Sequence, residues 1–267
     1  MVKTYRTNWS LAHKSTMDKD ILEMVSMAIN NSHYSASNSE FFQYTLFIWL
    51  TGKRSIEPLL RKPTIELFID SNEKQWYHVT SMVAKHFSTQ AMRCISCELT
   101  MARTKEAKQH RKETGHSLIH IGERRISSHY WPIMSAEESI IWRFLMDGRQ
   151  TRTLDFSRLV PKRFRGLKLT DLPNLKSLAS QVARRFSNTY KMSITDGSTE
   201  VIGSLTPHML RHSRAYDLLV NHKKPALWCQ RMMDWDNNAM LYYYTDLKNS
   251  LHAQEEMLLL RGLPEDY

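Results

Sequence analysis

The sequence predicts an α+β protein that is mostly α, with a small three-stranded sheet and a small finger inserted into it. Three observations carry that expectation. The run FFQYTLFIWL at 41–50 is apolar nearly all round, as a buried helix would be. Two alternating stretches, Pro63 to Asp70 and Trp76 to Phe87, flank the polar turn SNEKQ, as two strands of a hairpin would. From Pro207 onward the pattern is mostly helical. Helices, a few strands and then helices again is an α+β order rather than an alternating one.

The elements follow in order. Residues 1–17 are polar and basic and carry no clear period, so they stand apart as an N-terminal segment. From Asp18 to Asn30, Ile21, Val25 and Ile29 fall four apart, a helical stripe. Ser37-Asn38-Ser39-Glu40 reads as a helix start with acidic charge in its first turn, and Thr51-Gly52 as its stop. In the second strand, Tyr77, Val79, Ser81, Val83 and Lys85 share one face by period two. A further extended stretch, SLIHIGERRISSHYWPI, ends near Pro132. Ser135 reads as an N-cap, with Glu137 and Glu138 opening the helix AEESIIWRFLMDG. Residues 149–174 read as basic loop, Leu175 to Thr189 as helix, and TDGSTEVIG as a turn-rich connector. The main domain is placed at 18–250 and a helical tail at 251–267.

Composition narrows the function. The 42% hydrophobic content supports an ordinary core, and 10% aromatics exclude a disordered chain. With 8 Gly and 8 Pro, a collagen-like chain is excluded. Three Cys cannot build a disulfide framework, so a reducing, cytoplasmic setting is expected. No apolar stretch reaches membrane-spanning length, and the first residues hold no apolar leader, so no membrane partner is expected. The 37 Lys and Arg against 27 Asp and Glu leave a formal charge of +10, which points to a polyanion.

Cys94-x2-Cys97-x12-His110-x5-His116 has the spacing of zinc ligands. Two donor pairs, each close in sequence, complete a tetrahedron with little loop entropy. Met101 lies four residues after Cys97 and Ala107 three before His110, where a small ββα unit needs apolar contacts. The stretch between them, ARTKEAKQH, is a good helix former. Residues 91–116 thus resemble a C2H2 zinc finger with a structural zinc. The resemblance implies that Arg103, Glu106 and Gln109 occupy the helix positions able to face base edges. Cys229 lies apart on a helical stretch and reads as a core thiol.

The sharpest pattern lies toward the C-terminal end. His208-x-x-Arg211 is followed by Trp235 and, nine residues later, Tyr244. Upstream, TGKRSIE puts Arg54 at the end of the buried helix and Glu57 three residues on. This ordered set resembles the tyrosine recombinases: phage integrases and the Xer-type and Cre-type enzymes. Their catalytic domain carries an Arg in a T-G-x-R-x-x-E turn, a Lys on a β-hairpin, H-x-x-R-H, a His or Trp, and a nucleophilic Tyr.

The resemblance implies double-stranded DNA as the partner, a homo-oligomer (a tetramer) assembled on it, and a mobile-element context. It also assigns roles. Tyr244 attacks a phosphodiester and forms a 3′-phosphotyrosine, so no ATP is needed. Arg54 and Arg211 clamp charge on the non-bridging oxygens, so no catalytic metal is needed. His208 moves a proton or stabilises charge, and the Trp235 indole N–H donates to a phosphate oxygen. Glu57 orients Arg54, and His212 is a structural partner. Of the adjacent Tyr242, Tyr243 and Tyr244, the family spacing selects the last.

The lysine that protonates the leaving 5′-oxygen has three candidates. Lys85 ends an alternating strand and places the finger inside the hairpin. Counting back from Pro132 reaches Arg124 instead, whose pKa is too high for it to give up a proton readily. Arg124 then reads as a DNA contact. Lys105 belongs to the finger. The family also carries an N-terminal core-binding domain, while 53 residues precede Arg54 here. Either the sequence is a catalytic fragment, or the basic N-terminus and the finger substitute for that domain. Two other readings stay open. One is a type IB topoisomerase-like nicking-closing enzyme. The other is a non-catalytic zinc-finger DNA-binding protein on a degenerate recombinase fold.

Overall fold

The computed structural model describes residues 36–87, 91–172, 175–189, 191–196, 199–204 and 207–235. The expected helix at 18–30, the N-terminal segment, Tyr242 to Tyr244 and the tail at 251–267 lie outside the described residues.

Helix α1 (Ala36–Thr51) runs through the centre of the protein. Phe41, Phe42, Tyr44, Leu46, Phe47, Ile48, Trp49 and Leu50 are all buried, as an all-round apolar helix must be. Among the described residues it runs from Ala36, and Glu40 falls beyond the first turn counted from there. It ends where Gly52 adopts φ +57°, a left-handed conformation that glycine reaches without steric cost. The short helix α2 (Glu57–Leu60) follows and is wholly buried.

Strands β1 (Thr64–Ile69) and β2 (Gln75–Phe87) form the predicted hairpin, with Ile65 opposite Val79 and Leu67 opposite Tyr77. Tyr77, Val79, Ser81 and Val83 are buried along the predicted face. Between β2 and its next partner lies a small unit built from β3 (Met92–Cys94), β4 (Thr100–Met101), α3 (Thr104–Thr114) and β5 (Leu118–His120). Strand β6 (Arg124–Pro132) then pairs antiparallel with β2, so that this unit is set into a β2–β6 hairpin.

The sheet has four strands, in the order β6-β2-β1-β7, where three were expected. The fourth, β7 (Thr151–Thr153), is an edge strand of three residues inside the stretch read as loop. Three residues are too few to show a period. A second correction concerns the expected connector after α5 (Lys176–Thr189). It is a hairpin of β8 (Lys191–Asp196) and β9 (Thr199–Ser204). Its signal was the β-branched content of Ile194, Thr195, Val201 and Ile202, which the turn residues between them obscured.

Helix α4 (Ala136–Met146) starts as predicted. The Ser135 hydroxyl accepts from the Glu138 N–H at 3.1 Å, and Glu138 Oε2 accepts from the Met134 N–H at 3.2 Å. The last described helices are α6 (Pro207–Tyr216), which passes into a π-helical turn at Asp217–Asn221, and α7 (Ala226–Met232). Helix α1 packs against α4 and α6. Among the described residues no helix is long and apolar enough to cross a membrane.

A buried cation joins these helices. Arg214 of α6 is fully buried and donates to Glu138 of α4, to Asp217 at 2.7 Å and to the Leu50 carbonyl of α1 at 3.0 Å. Its guanidinium lies 5.4 Å from the centre of the Trp49 ring and 5.7 Å from that of Trp131. Removing the cation leaves two buried carboxylates without their main counter-charge, with the His222 imidazole 3.8 Å from Glu138 and 3.5 Å from Asp217. Arg214→Ala is therefore expected to destabilise the protein by about 3–5 kcal/mol, read from urea unfolding, whereas Ser135→Ala costs about 1 kcal/mol.

Candidate active site

The residues singled out in sequence fall into three segments: the turn after α1, the first turns of α6, and the turn after α7. Arg211 brings them together. Its Nη1 donates to the Gly52 carbonyl and its Nη2 to the Met233 carbonyl, with the guanidinium buried between them. The two turns also touch directly. A Cβ built on Gly52 would lie 2.5 Å from Met233 Cε, so only glycine lets the Met233 side chain lie there.

Arg54 sits at the mouth of this junction, with its side chain 20% exposed. Glu57 holds it twice. Oε2 accepts from the Arg54 backbone N–H and Oε1 from Nη1, both at 2.9 Å. Glu57 is itself buried, so the guanidinium is oriented from the protein side. This is the role expected of it.

His208, Arg211 and His212 are three and four residues apart on α6 and share a face. His208 is exposed, and its Nε2 lies 2.8 Å from Nε2 of His212. Trp235 is half-buried against the core and lines a 340 Å³ depression with Leu227, Gln230, Arg231, Arg125 and Asp234. Tyr244, the expected nucleophile, lies outside the described residues.

The end of β2 is stitched to the Arg54 turn. The Ala84 N–H donates to Glu57 Oε1 at 3.1 Å, and the Ala84 carbonyl accepts from Arg124 Nη1. The backbone of Lys85 therefore continues directly from a residue bound to Glu57, while its side chain lies outside what the structure describes. Arg124 also donates to the carbonyls of Thr170 at 3.3 Å and Leu172 at 3.4 Å, which makes it a brace between β2 and the basic loop. Lys105 lies on α3, within the small inserted unit.

Sequence reasoning missed a second set of groups at the same junction. Lys53 is 1% exposed; its ammonium donates to Asp234 Oδ2 and, at 2.8 Å, to Ser127 Oγ. Asp234 Oδ1 lies 3.2 Å from His129 Nε2. Burial pushes the Asp234 carboxyl upward, but the His129 hydrogen bond and the Lys53 charge win and hold it well below the usual carboxylate range. A signal was available. Ser127 and His129 alternate with Trp131 on one row of β6, and polar residues on a core-facing row need partners.

In the inserted unit, Cys94, Cys97, His110 and His116 each bring a donor atom within 4.8 Å of the others. Cys94 Sγ is 3.4 Å from His116 Nδ1, and Cys97 Sγ is 3.5 Å from His110 Nε2. Cys94, Met101 and Ala107 form a separate small core beneath them, with Met92 and Leu118 alongside, as the spacing predicted. Burial works against ionisation of Cys94. The Cys97 N–H and the His110 imidazole outweigh it and bring the thiol down to about 6. Helix α3 ends on Gly115 at φ +72°; Arg103, the extended residue that precedes it, and Glu106 and Gln109 on it are exposed. Gln109 donates to Glu113 at 2.8 Å.

No protein-family model and no curated protein matches the chain. Among solved structures it is similar to a XerH site-specific recombinase, crystallised with a palindromic difH substrate as a post-cleavage complex. The identity is 14% and the TM-score 0.41, over 91% of this chain and 52% of that one, so this chain spans about half the length of that protein.

The Asp234 carboxylate fixes the sign of one pH dependence. A carboxyl with a depressed folded pKa adds stability above its unfolded value, near 3.9, and loses it as pH falls. Asp234→Asn is expected to cost about 3 kcal/mol at pH 7, and that cost should shrink as pH drops below about 4. Urea unfolding across that range checks it. A cost independent of pH would show that the carboxylate is not charged in the folded protein.

Proposed function

We propose that the protein cuts and rejoins double-stranded DNA as a site-specific tyrosine recombinase, through a 3′-phosphotyrosine. One observation carries the reading. Arg211, the second arginine of the motif, bridges the Gly52 and Met233 carbonyls across 159 and 22 residues of sequence. The T-G-x-R turn, the H-x-x-R helix and the tryptophan that precedes the motif tyrosine by nine residues therefore share one place.

In this reading the Tyr244 oxygen attacks the scissile phosphorus, and the bond from phosphorus to the 5′-oxygen breaks. Charge grows on the two non-bridging oxygens. Arg54, aimed outward by Glu57, meets it with a planar fork, and Arg211 supports it from within. The exposed His208 takes the tyrosine proton or donates to the phosphate. The indole N–H of Trp235 can only donate. Lys85 gives a proton to the leaving 5′-oxygen. Reversal with a new 5′-hydroxyl reseals the strand, and the phosphotyrosine keeps the bond energy throughout. Exchange between two duplexes requires several such sites at once, so assembly as a homo-oligomer on DNA goes with this reading.

The inserted unit is proposed to hold a structural zinc. Two thiolates and two imidazoles suit zinc, and four protein donors make a closed site without catalytic water. A unit this small buries little apolar surface, so metal binding supplies the energy to fold it. Arg103, just before its helix, and Glu106 and Gln109 on it then lie where they can reach DNA.

Tyr244→Phe is expected to abolish the covalent adduct on a nicked suicide substrate and to leave DNA affinity unchanged. Loss of the adduct in Tyr243→Phe but not in Tyr244→Phe would move the nucleophile by one residue. For the metal, mass spectrometry of the wild type should find one zinc per chain, absent from Cys94→Ser. That variant should also lose hydrogen-exchange protection in the inserted unit while α1, α4 and α6 keep theirs. Zinc-free wild type, or undiminished zinc in the variant, overturns the site.

A further inference from the structure

Two left-handed turns face each other beneath the site. Gly52 has φ +57°, which glycine tolerates. Asp234 has φ +50°, where a residue with a side chain is disfavoured. Asp147 adopts the same conformation (φ +54°), and aspartate enters it more readily than most residues, so no outside force is needed to hold the backbone angle of Asp234. Its N–H donates to the Arg231 carbonyl at 3.2 Å, and the next N–H, that of Trp235, to the Gln230 carbonyl at 3.0 Å. These local bonds close the end of α7 but do not fix the turn against the rest of the protein. That task falls to the side chains. Arg211 holds the Met233 carbonyl, and Lys53 holds the Asp234 carboxylate.

The Lys53–Asp234 bond joins the sequence neighbours of two motif residues. Lys53 precedes Arg54 in the chain, and its partner precedes Trp235. The pair is buried at both ends, with side chains 1% and 4% exposed. Ser127 and His129 satisfy the remaining polar atoms from β6. A buried pair of this kind adds little net stability over apolar residues of the same shape. What it does add is a fixed distance and direction between two backbones.

We infer that Lys53 and Asp234 are positioning residues, and that their pair sets where Trp235 stands relative to Arg54. The structural half of the inference is independent of the proposed DNA cleavage. Its kinetic half rests on that reading.

The test uses the full-length protein and three variants: Lys53→Met, Asp234→Gly and the double variant. Lys53→Met leaves a buried carboxylate with His129 but without its ammonium partner, and instability alone could spoil it. The double variant removes both charges and gives the left-handed position a glycine, so it should fold. Two quantities are read. The first is the indole 15N–H resonance of Trp235, assigned by its loss in Trp235→Phe. The second is adduct formation on a suicide substrate, with the rate at saturating DNA separated from KM.

In the double variant the Trp235 resonance is expected to shift or broaden. The saturating rate should fall about a hundredfold, the scale of a displacement near 1 Å, with KM unchanged. A folded double variant with the Trp235 resonance in its wild-type place, or with a wild-type cleavage rate, overturns the inference. So does a double variant that cannot fold, because the pair is then a stabilising element and not a positioning one. If the wild type forms no adduct, the DNA-cleavage reading fails. The Trp235 resonance then decides the structural half alone.

Discussion

The site depends on the meeting of two turns that have no sequence connection. The chain leaves α1 through Gly52 and leaves α7 through Asp234, both left-handed. Backbone carbonyls in such turns have no helical partner and point where a cation can reach them. Arg211 takes one from each turn. Met233 fills the space that a side chain at residue 52 would need. Glycine at 52 is thus favoured by its backbone angle, and a side chain there would also have to displace the flexible end of Met233. Arg54, Trp235 and the helix carrying His208 are all placed by this junction, none of them by local sequence alone.

Cations do much of the joining in this core. Lys53, Arg211 and Arg214 are all buried, and each links segments far apart in the chain. Arg214 ties α6 to α1 and α4; Lys53 ties the Arg54 turn to β6 and to the turn after α7. The cost of burying them is offset by their pairing, which for Arg214 runs through Nε and Nη1 and leaves Nη2 without a hydrogen bond among the described residues, so the geometry is sensitive to loss of a partner. A purely apolar core would tolerate a small rotation of α6 against α1. Directional hydrogen bonds to fixed carbonyls do not. Under the proposed function, which needs several groups held around one phosphate, that rigidity is an advantage.

How much of this was legible in the sequence follows from the range of the interactions. Helix α1, the β1–β2 hairpin, the Ser135 cap and the small core under the Cys and His residues are set by neighbours within a few positions, and periodicity or spacing reveals them. Glu57 could be paired with Arg54 because they are three residues apart. Strand β7 was invisible because it exists only as an edge for β1. Lys53 reads in sequence as an ordinary solvated lysine. Only the fold, by bringing Asp234 and Ser127 to it across 181 and 74 residues, makes it a buried ion. Arg124 shows the converse. Its place in the sequence suits a DNA contact, yet its guanidinium is drawn to the carbonyls of residues 84, 170 and 172.

The inserted unit acquires its meaning from where it is spliced. Strands β2 and β6 pair in regular register from Trp76 opposite Pro132 to Met82 opposite Ile126, and the register then breaks before Phe87 meets Arg124. The break falls at Ala84, whose N–H goes to Glu57 and whose carbonyl goes to Arg124. The strand has left the ladder to reach the Arg54 turn, and the ladder bonds it gives up are replaced by side-chain ones. An insertion placed beyond this point hangs on two strand ends that are already fixed by Glu57 and Arg124. It can therefore fold around its own four donors without disturbing Ala84. By the same geometry, Lys85 directly follows an anchored residue near the end of β2. Its backbone is held by the core on one side and leads into the inserted unit on the other, so the hairpin can carry a small domain and still keep its base against Arg54.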